Sequence, residues 1–183
     1  MRFRTLIGAA AAAGLGLTAF GNAEATPVTY AFTVTATDGP LAGTTETGTF
    51  TYDTSIVPPG GGSVGGTNLL TALHFTWDGI TYDQTTANTG NLGFDASGSL
   101  FTAEFGTNCL VGGCSITSGF EQWAVSATVL GTVGGFGYAV AGVPGQFDGN
   151  AILTLVPEPS VLSLFAFSMA GLAFAGMLRT RRD

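Results

Sequence analysis

Residues whose type and spacing could carry chemistry are few in this chain. Two cysteines, Cys109 and Cys114, stand five apart in "NCLVGGCS", with Gly112 and Gly113 between them to let a tight loop close. In an oxidising compartment such a pair forms a disulfide. The spacing is too long for a redox C-x-x-C, and a metal site would need more ligands than lie nearby. His74 is the single histidine, so any Ser–His–Asp triad would have to use it as base. It alternates with Leu73 and Phe75, which turns it away from a core, and no G-x-S-x-G marks a nucleophile. Glu104 and Glu121 are the pair that could serve as acid and base in glycoside hydrolysis. Trp77 and Trp123 could stack on a sugar, although tryptophan on the apolar phase of a strand is normally core. The run "DASGSL" from Asp95 begins like a calcium loop. It then departs, with Leu100 where the sharp-turn glycine belongs and Gly106 where the bidentate glutamate belongs, so Asp95 reads as a turn residue. No catalytic set and no metal site assemble from these pieces, and calcium held between loops by scattered carboxylates stays open.

The elements that must position these residues are strands. Apolar residues recur with period two. "VTYAFTVT" puts Val28, Tyr30, Phe32 and Val34 on one face and mainly threonine on the other, and "GTFTYD" repeats the pattern with Phe50 and Tyr52. In "LHFTWDGITYD" the residues Leu73, Phe75 and Trp77 alternate, Asp78-Gly79 turns, and Ile80 and Tyr82 alternate back. Asp-Gly between alternating runs is a strong hairpin signal, because both turn positions need positive φ. "LGFDA", "SLFTAEF", "QWAVSATVL", "GFGYAVA" and "AILTLV" complete about nine strands, and no segment carries a helical stripe. This pattern predicts an all-β fold, a single β-sandwich or jelly-roll-like domain. The low-complexity stretch Val57 to Gly66 is expected to be a flexible surface loop.

Charge bounds the partners. The five basic residues are Arg2, Arg4, Arg179, Arg181 and Arg182, all at the two ends. The stretch between Thr26 and Val156 has none, yet carries Asp38, Glu46, Asp53, Asp78, Asp83, Asp95, Glu104, Glu121 and Asp148. Nucleic acid is thereby excluded as an expected partner, since phosphate binding relies on Lys and Arg.

The ends carry an address. Met1 to Arg4 is short and basic, Leu6 to Phe20 is uncharged and apolar, and Ala23-Glu24-Ala25 has small residues at the two positions that signal peptidase accommodates. Residues 1–25 therefore read as a secretory signal peptide, with the mature chain starting at Thr26. At the other end Val161 to Leu178 holds no charge, and as a helix it would reach about 27 Å, enough for a thin hydrocarbon core. Arg179, Arg181 and Arg182 follow at once and would hold that end in the cytoplasm. Pro157 and Pro159 can continue neither a ladder nor a helix, which leaves the step before the span extended and exposed.

"VPEPS", one span and a basic cluster, in that order at a C-terminus, resemble the PEP-CTERM sorting signal of exported proteins in Gram-negative bacteria. The resemblance covers about residues 156–183. It implies that Pro157, Glu158 and Pro159 are recognised by a membrane-embedded exosortase, and that Val161 to Leu178 is the transient inner-membrane anchor. Arg179, Arg181 and Arg182 are the matching basic tail. It also implies a secreted or cell-surface location and a structural or binding role in biofilm or exopolysaccharide. The organisation expected is a signal peptide (1–25), a β-sandwich ectodomain (26–155) and a sorting signal (156–183). Two alternatives accompany it: a secreted hydrolase using carboxylates on the same fold, and a surface protein that keeps its single span.

Overall fold

The structure is a computed structural model that describes residues 25–110, 112–129 and 132–157. The described residues are strands and turns with one short 3-10 turn, Thr54–Ile56. The strands are β1 (Pro27–Ala36), β2 (Thr45–Asp53), β3 (Gly62–Gly65), β4 (Leu70–Trp77), β5 (Ile80–Asp83), β6 (Asn88–Phe94), β7 (Leu100–Gly106), β8 (Cys109–Leu110), β9 (Gly113–Cys114), β10 (Gln122–Thr128), β11 (Gly134–Ala139) and β12 (Phe147–Leu155). Ten of them form one antiparallel sheet in the order β3-β6-β7-β10-β11-β12-β1-β2-β4-β5, while β8 and β9 make a separate small ribbon. The all-β expectation holds.

Alternation decides which face is buried. Tyr30, Phe32 and Val34 of β1, Phe50 and Tyr52 of β2, and Leu73, Phe75 and Trp77 of β4 all point inward. So do Ala103 and Phe105 of β7, Trp123 and Val125 of β10, and Phe136 and Tyr138 of β11. Rings that are far apart in strand order nevertheless touch. Phe32 and Phe50 lie 5.1 Å and 4.8 Å from Phe105, and Phe75 lies 4.7 Å from Trp123. Tyr52 meets Phe94 at 5.4 Å, and Trp77 meets Phe136 at 4.7 Å. The sheet is therefore curled so that its β1-β2-β4 part faces its β6-β7-β10 part across a single aromatic core. Each such ring contributes about 1.5–3 kcal/mol through burial, and each edge-to-face pair about 0.5–1.5 kcal/mol beyond it.

The first and last strands are neighbours. β1 pairs with β12 from Tyr30↔Leu155 to Ala36↔Gly149, so the first and last strands meet in the middle of the sheet. The hairpin between β4 and β5 has the turn its sequence demands: Asp78 at φ 47° and Gly79 at φ 73° are both left-handed.

One expectation is corrected. Val57–Gly66 is not wholly loop, because Gly62–Gly65 forms edge strand β3 and pairs with β6, Gly62↔Phe94 through Gly65↔Asn91. Glycine disfavours strand, which hides this element from a propensity reading. What overrides propensity is the edge of β6, whose N–H and C=O groups need partners, and the side chain of Val64, which packs on the core.

Candidate functional site

Each residue with chemical potential lands in a definite place, and most are structural. Cys109 and Cys114 are cross-strand partners on β8 and β9 and form the disulfide. His74 is on the outward phase of β4, exposed, where the alternation puts it. Trp77 and Trp123 are fully buried, edge-on to Phe136 and Phe75, so they offer no platform to a sugar. Their Nε1 groups have no hydrogen-bond partner among the described residues.

Asp95 is a turn residue. Its Oδ1 accepts from Ser97 N at 2.8 Å, Ser97 Oγ at 2.5 Å and Ser99 N at 3.0 Å, and these bonds hold its carboxyl below the usual aspartate range. Asp83 is built alike, accepting from the hydroxyl and N–H of Thr85 and from Thr86 N, and its pKa is lowered for the same reason. Asp83 ends β5 and Asp95 follows β6, and each side chain bonds the backbone of the turn two residues on.

Glu104 and Glu121 are not brought together. Glu104 is on the outward phase of β7, opposite Ser126 of β10. Glu121 immediately precedes β10 and continues the inward phase of Trp123 and Val125. Five residues separate Glu121 from Ser126, about 16 Å along an extended chain, against the roughly 5–9.5 Å that two-carboxylate hydrolysis uses. Burial raises the pKa of Glu121, partly offset by the hydrogen bond it accepts from Ala141 N at 3.2 Å. Tyr82 is pushed up to about 12 by burial first and then by the nearby charges of Glu121 and Asp78. This is an acidic, half-covered end of the core, not a catalytic dyad.

Glu104 has another partner. Its Oε1 accepts from Cys114 N at 2.8 Å, which pins the disulfide ribbon onto the outer face of the sheet. The excursion from Thr107 to Glu121 is fastened again at its far side, where Gly145 N donates to Ser118 Oγ at 2.7 Å and Gln146 Nε2 donates to Ile116 O. Between this strap and the strands lies a groove of about 380 Å³. Ala124, Ser126, Gly135 and Gly137 make its floor, Cys114 and Ile116 one wall, and Glu104 and Asp148 its acidic margins. Its volume falls within the range of small-ligand pockets. Sequence reasoning missed it. The one available signal was the run "GGFGY", which removes side chains from alternate outward positions of a strand.

Among the described residues no group of three or more His, Cys, Asp or Glu side chains converges where a metal ion could be held. No helix among them is long and apolar enough to cross a membrane. Of the sorting residues, Pro157 is exposed past the end of β12. Glu158, Pro159, the span Val161–Leu178, the arginines Arg179, Arg181 and Arg182, and Ala23 of the signal-cleavage site lie outside the described residues; Ala25 is exposed just before β1. Compared with known proteins, the chain matches no family model, no curated protein and no solved structure.

Proposed function

We propose that this chain is an exported, non-enzymatic surface or matrix protein, freed of its signal peptide after Ala25 and handed to an exosortase at Pro157-Glu158-Pro159. On this reading the span is a transient anchor, the mature domain works outside the cell, and its partner there is exopolysaccharide or matrix rather than nucleic acid. The observation that carries the reading is that β1 begins where β12 ends, Tyr30 lying opposite Leu155. Thr26 exchanges hydrogen bonds with Thr54, through Thr26 N to Thr54 Oγ1 and Thr54 N to Thr26 O. Val156 N donates to Thr29 O on the neighbouring strand. The start of β1 and the end of β12 thus lie at one pole of the sheet, on adjacent strands, a placement that suits an export signal before the one and a sorting signal after the other. Immediately past Val156, Pro157 cannot extend the ladder, and an unpaired segment is what a processing enzyme can seat.

The finer description of the fold, a β-sandwich of jelly-roll type, belongs to the same reading. It is supported by the rings that bridge the two parts of the curled sheet, Phe50 to Phe105 and Phe75 to Trp123. The test is the intact mass of the protein recovered from the surface and medium of its host. A chain running from Thr26 to the neighbourhood of Pro159 is the expected result. A chain still ending at Asp183 would favour a permanent anchor, and one retaining Met1 inside the cell would overturn export altogether.

A further inference from the structure

Glycine in the interior of a strand costs stability, so each one needs a reason. Two near the groove have an internal one. A Cβ at Gly134 would meet Ala127 Cα at 2.5 Å, and one at Gly149 would meet Thr35 O at 2.5 Å. Gly135 shows none among the described residues: its φ is not positive, and the nearest of their atoms to a Cβ there is Ser126 O, at 4.0 Å. No described residue requires its small size, and the space beside it belongs to the groove. Strand-interior glycine is found where a ligand or another backbone approaches closely, as well as at bulges and bends.

The charge of the groove selects the visitor. Glu104 and Asp148 line it, and Asp38 adjoins it, its Oδ1 accepting from Asp148 N at 2.6 Å. No lysine or arginine occurs between Thr26 and Pro157 to neutralise them. A cleft lined by one sign of charge concentrates ligands of the other. The two margins are also far apart. β7 and β12 are separated by β10 and β11, so three strand spacings, about 14 Å, lie between Glu104 and Asp148. A single ion cannot pair with both; a linear chain of cations can.

The floor decides between a peptide and a saccharide. A peptide held on a sheet gains most from an open edge, through backbone pairing. Here β10 and β11 are paired on both sides, Ser126 with Glu104 and Gly135, and Gly137 with Ala124 and Asp148. Their backbone groups are spent, and what remains is a shallow bed of Gly, Ala and Ser beside Ile116 that suits a ring face. We infer that this groove binds a linear amino-sugar chain through its protonated free amines. The inference deepens the matrix-binding role proposed above and rests on it.

The test is calorimetric titration of the full chain, kept in mild detergent, with a β-1,4-glucosamine hexamer, its fully N-acetylated counterpart and a lysine hexapeptide. The acetylated chain and the peptide are each expected to bind at least tenfold more weakly than the amino-sugar. Gly135→Leu, which fills the groove from a position with room for a side chain, should weaken glucosamine binding at least tenfold, as should Glu104→Gln combined with Asp148→Asn. Near-ultraviolet circular dichroism of the buried tryptophans checks that each variant is folded. Equal binding by the acetylated chain or by the peptide would overturn the proposal. Undiminished binding by folded Gly135→Leu would overturn the groove while leaving matrix binding intact, and no affinity for the host's own matrix would remove the premise.

Discussion

The outer face of the curled sheet differs sharply between its two parts. Over β12, β1, β2 and β4 it is a lattice of threonines in register: Thr33 opposite Thr47, Thr35 opposite Thr45, Thr29 opposite Thr51, with Thr154 beside Ala31. Some of these hydroxyls bond each other directly, as Thr29 to Thr51 and Thr35 to Thr45 at 2.9 Å each. Over β7, β10 and β11 the same phase carries Glu104, Ser126, Gly135 and Gly137, and a disulfide-clamped strap covers part of it. The inner faces are alike, aromatic in both parts. One architecture has thus been finished in two ways, a β-branched coat that favours the strand and meets water, and a stripped bed that gives up strand propensity for space. The difference teaches that one aromatic core supports two quite different outer faces, and the proposed binding groove lies on the stripped one.

The core common to both parts should dominate stability. Phe105→Ala removes the ring that touches Phe32, Phe50 and Trp123 at once, and should cost about 3–5 kcal/mol in chemical denaturation. A loss below 1 kcal/mol would mean that the two parts are not packed against each other. Next comes the strap. Replacing Cys109 and Cys114 by serine opens a loop of five-residue separation and should cost about 2 kcal/mol by chain entropy. It should also weaken whatever the groove binds more than Phe105→Ala does at a temperature where both variants are folded.

A third expected effect depends on pH. Glu121 has a folded pKa raised by burial, so its ionisation opposes folding, and its contribution falls as pH rises from the ordinary glutamate range through the raised value. Glu121→Gln keeps an acceptor for Ala141 N while removing that charge. It should therefore raise Tm at pH 7 and leave it nearly unchanged near pH 4. An equal gain at both values would show that packing rather than charge is responsible. Smallest of all is the threonine coat. Thr47→Ala, exposed and opposite Thr33, should shift stability by no more than about 0.5 kcal/mol and leave saccharide binding unaltered. A larger effect on binding would move the site from the stripped side to the coated one.

Much of this molecule was legible from residue order alone. Period-two alternation marks the principal strands and the inward ring set, because a strand's geometry sends successive side chains to opposite faces whatever it pairs with. Asp78-Gly79 announces its own turn, and Asp95 its own, since both depend on bonds and dihedrals within a few residues. Cys109 and Cys114, the two cysteines of a chain read as exported, likewise pointed to their disulfide. The edge strand Gly62–Gly65, the adjacency of β1 and β12 and the groove were not legible. Each arises from segments far apart in the chain. β3 exists because β6 needs a partner, the start of β1 and the end of β12 share a pole because Tyr30 faces Leu155, and the groove exists because Glu104 holds Cys114 beside a glycine bed formed elsewhere. Local chemistry set what each segment is; long-range pairing and the curl of the sheet decided what each segment meets.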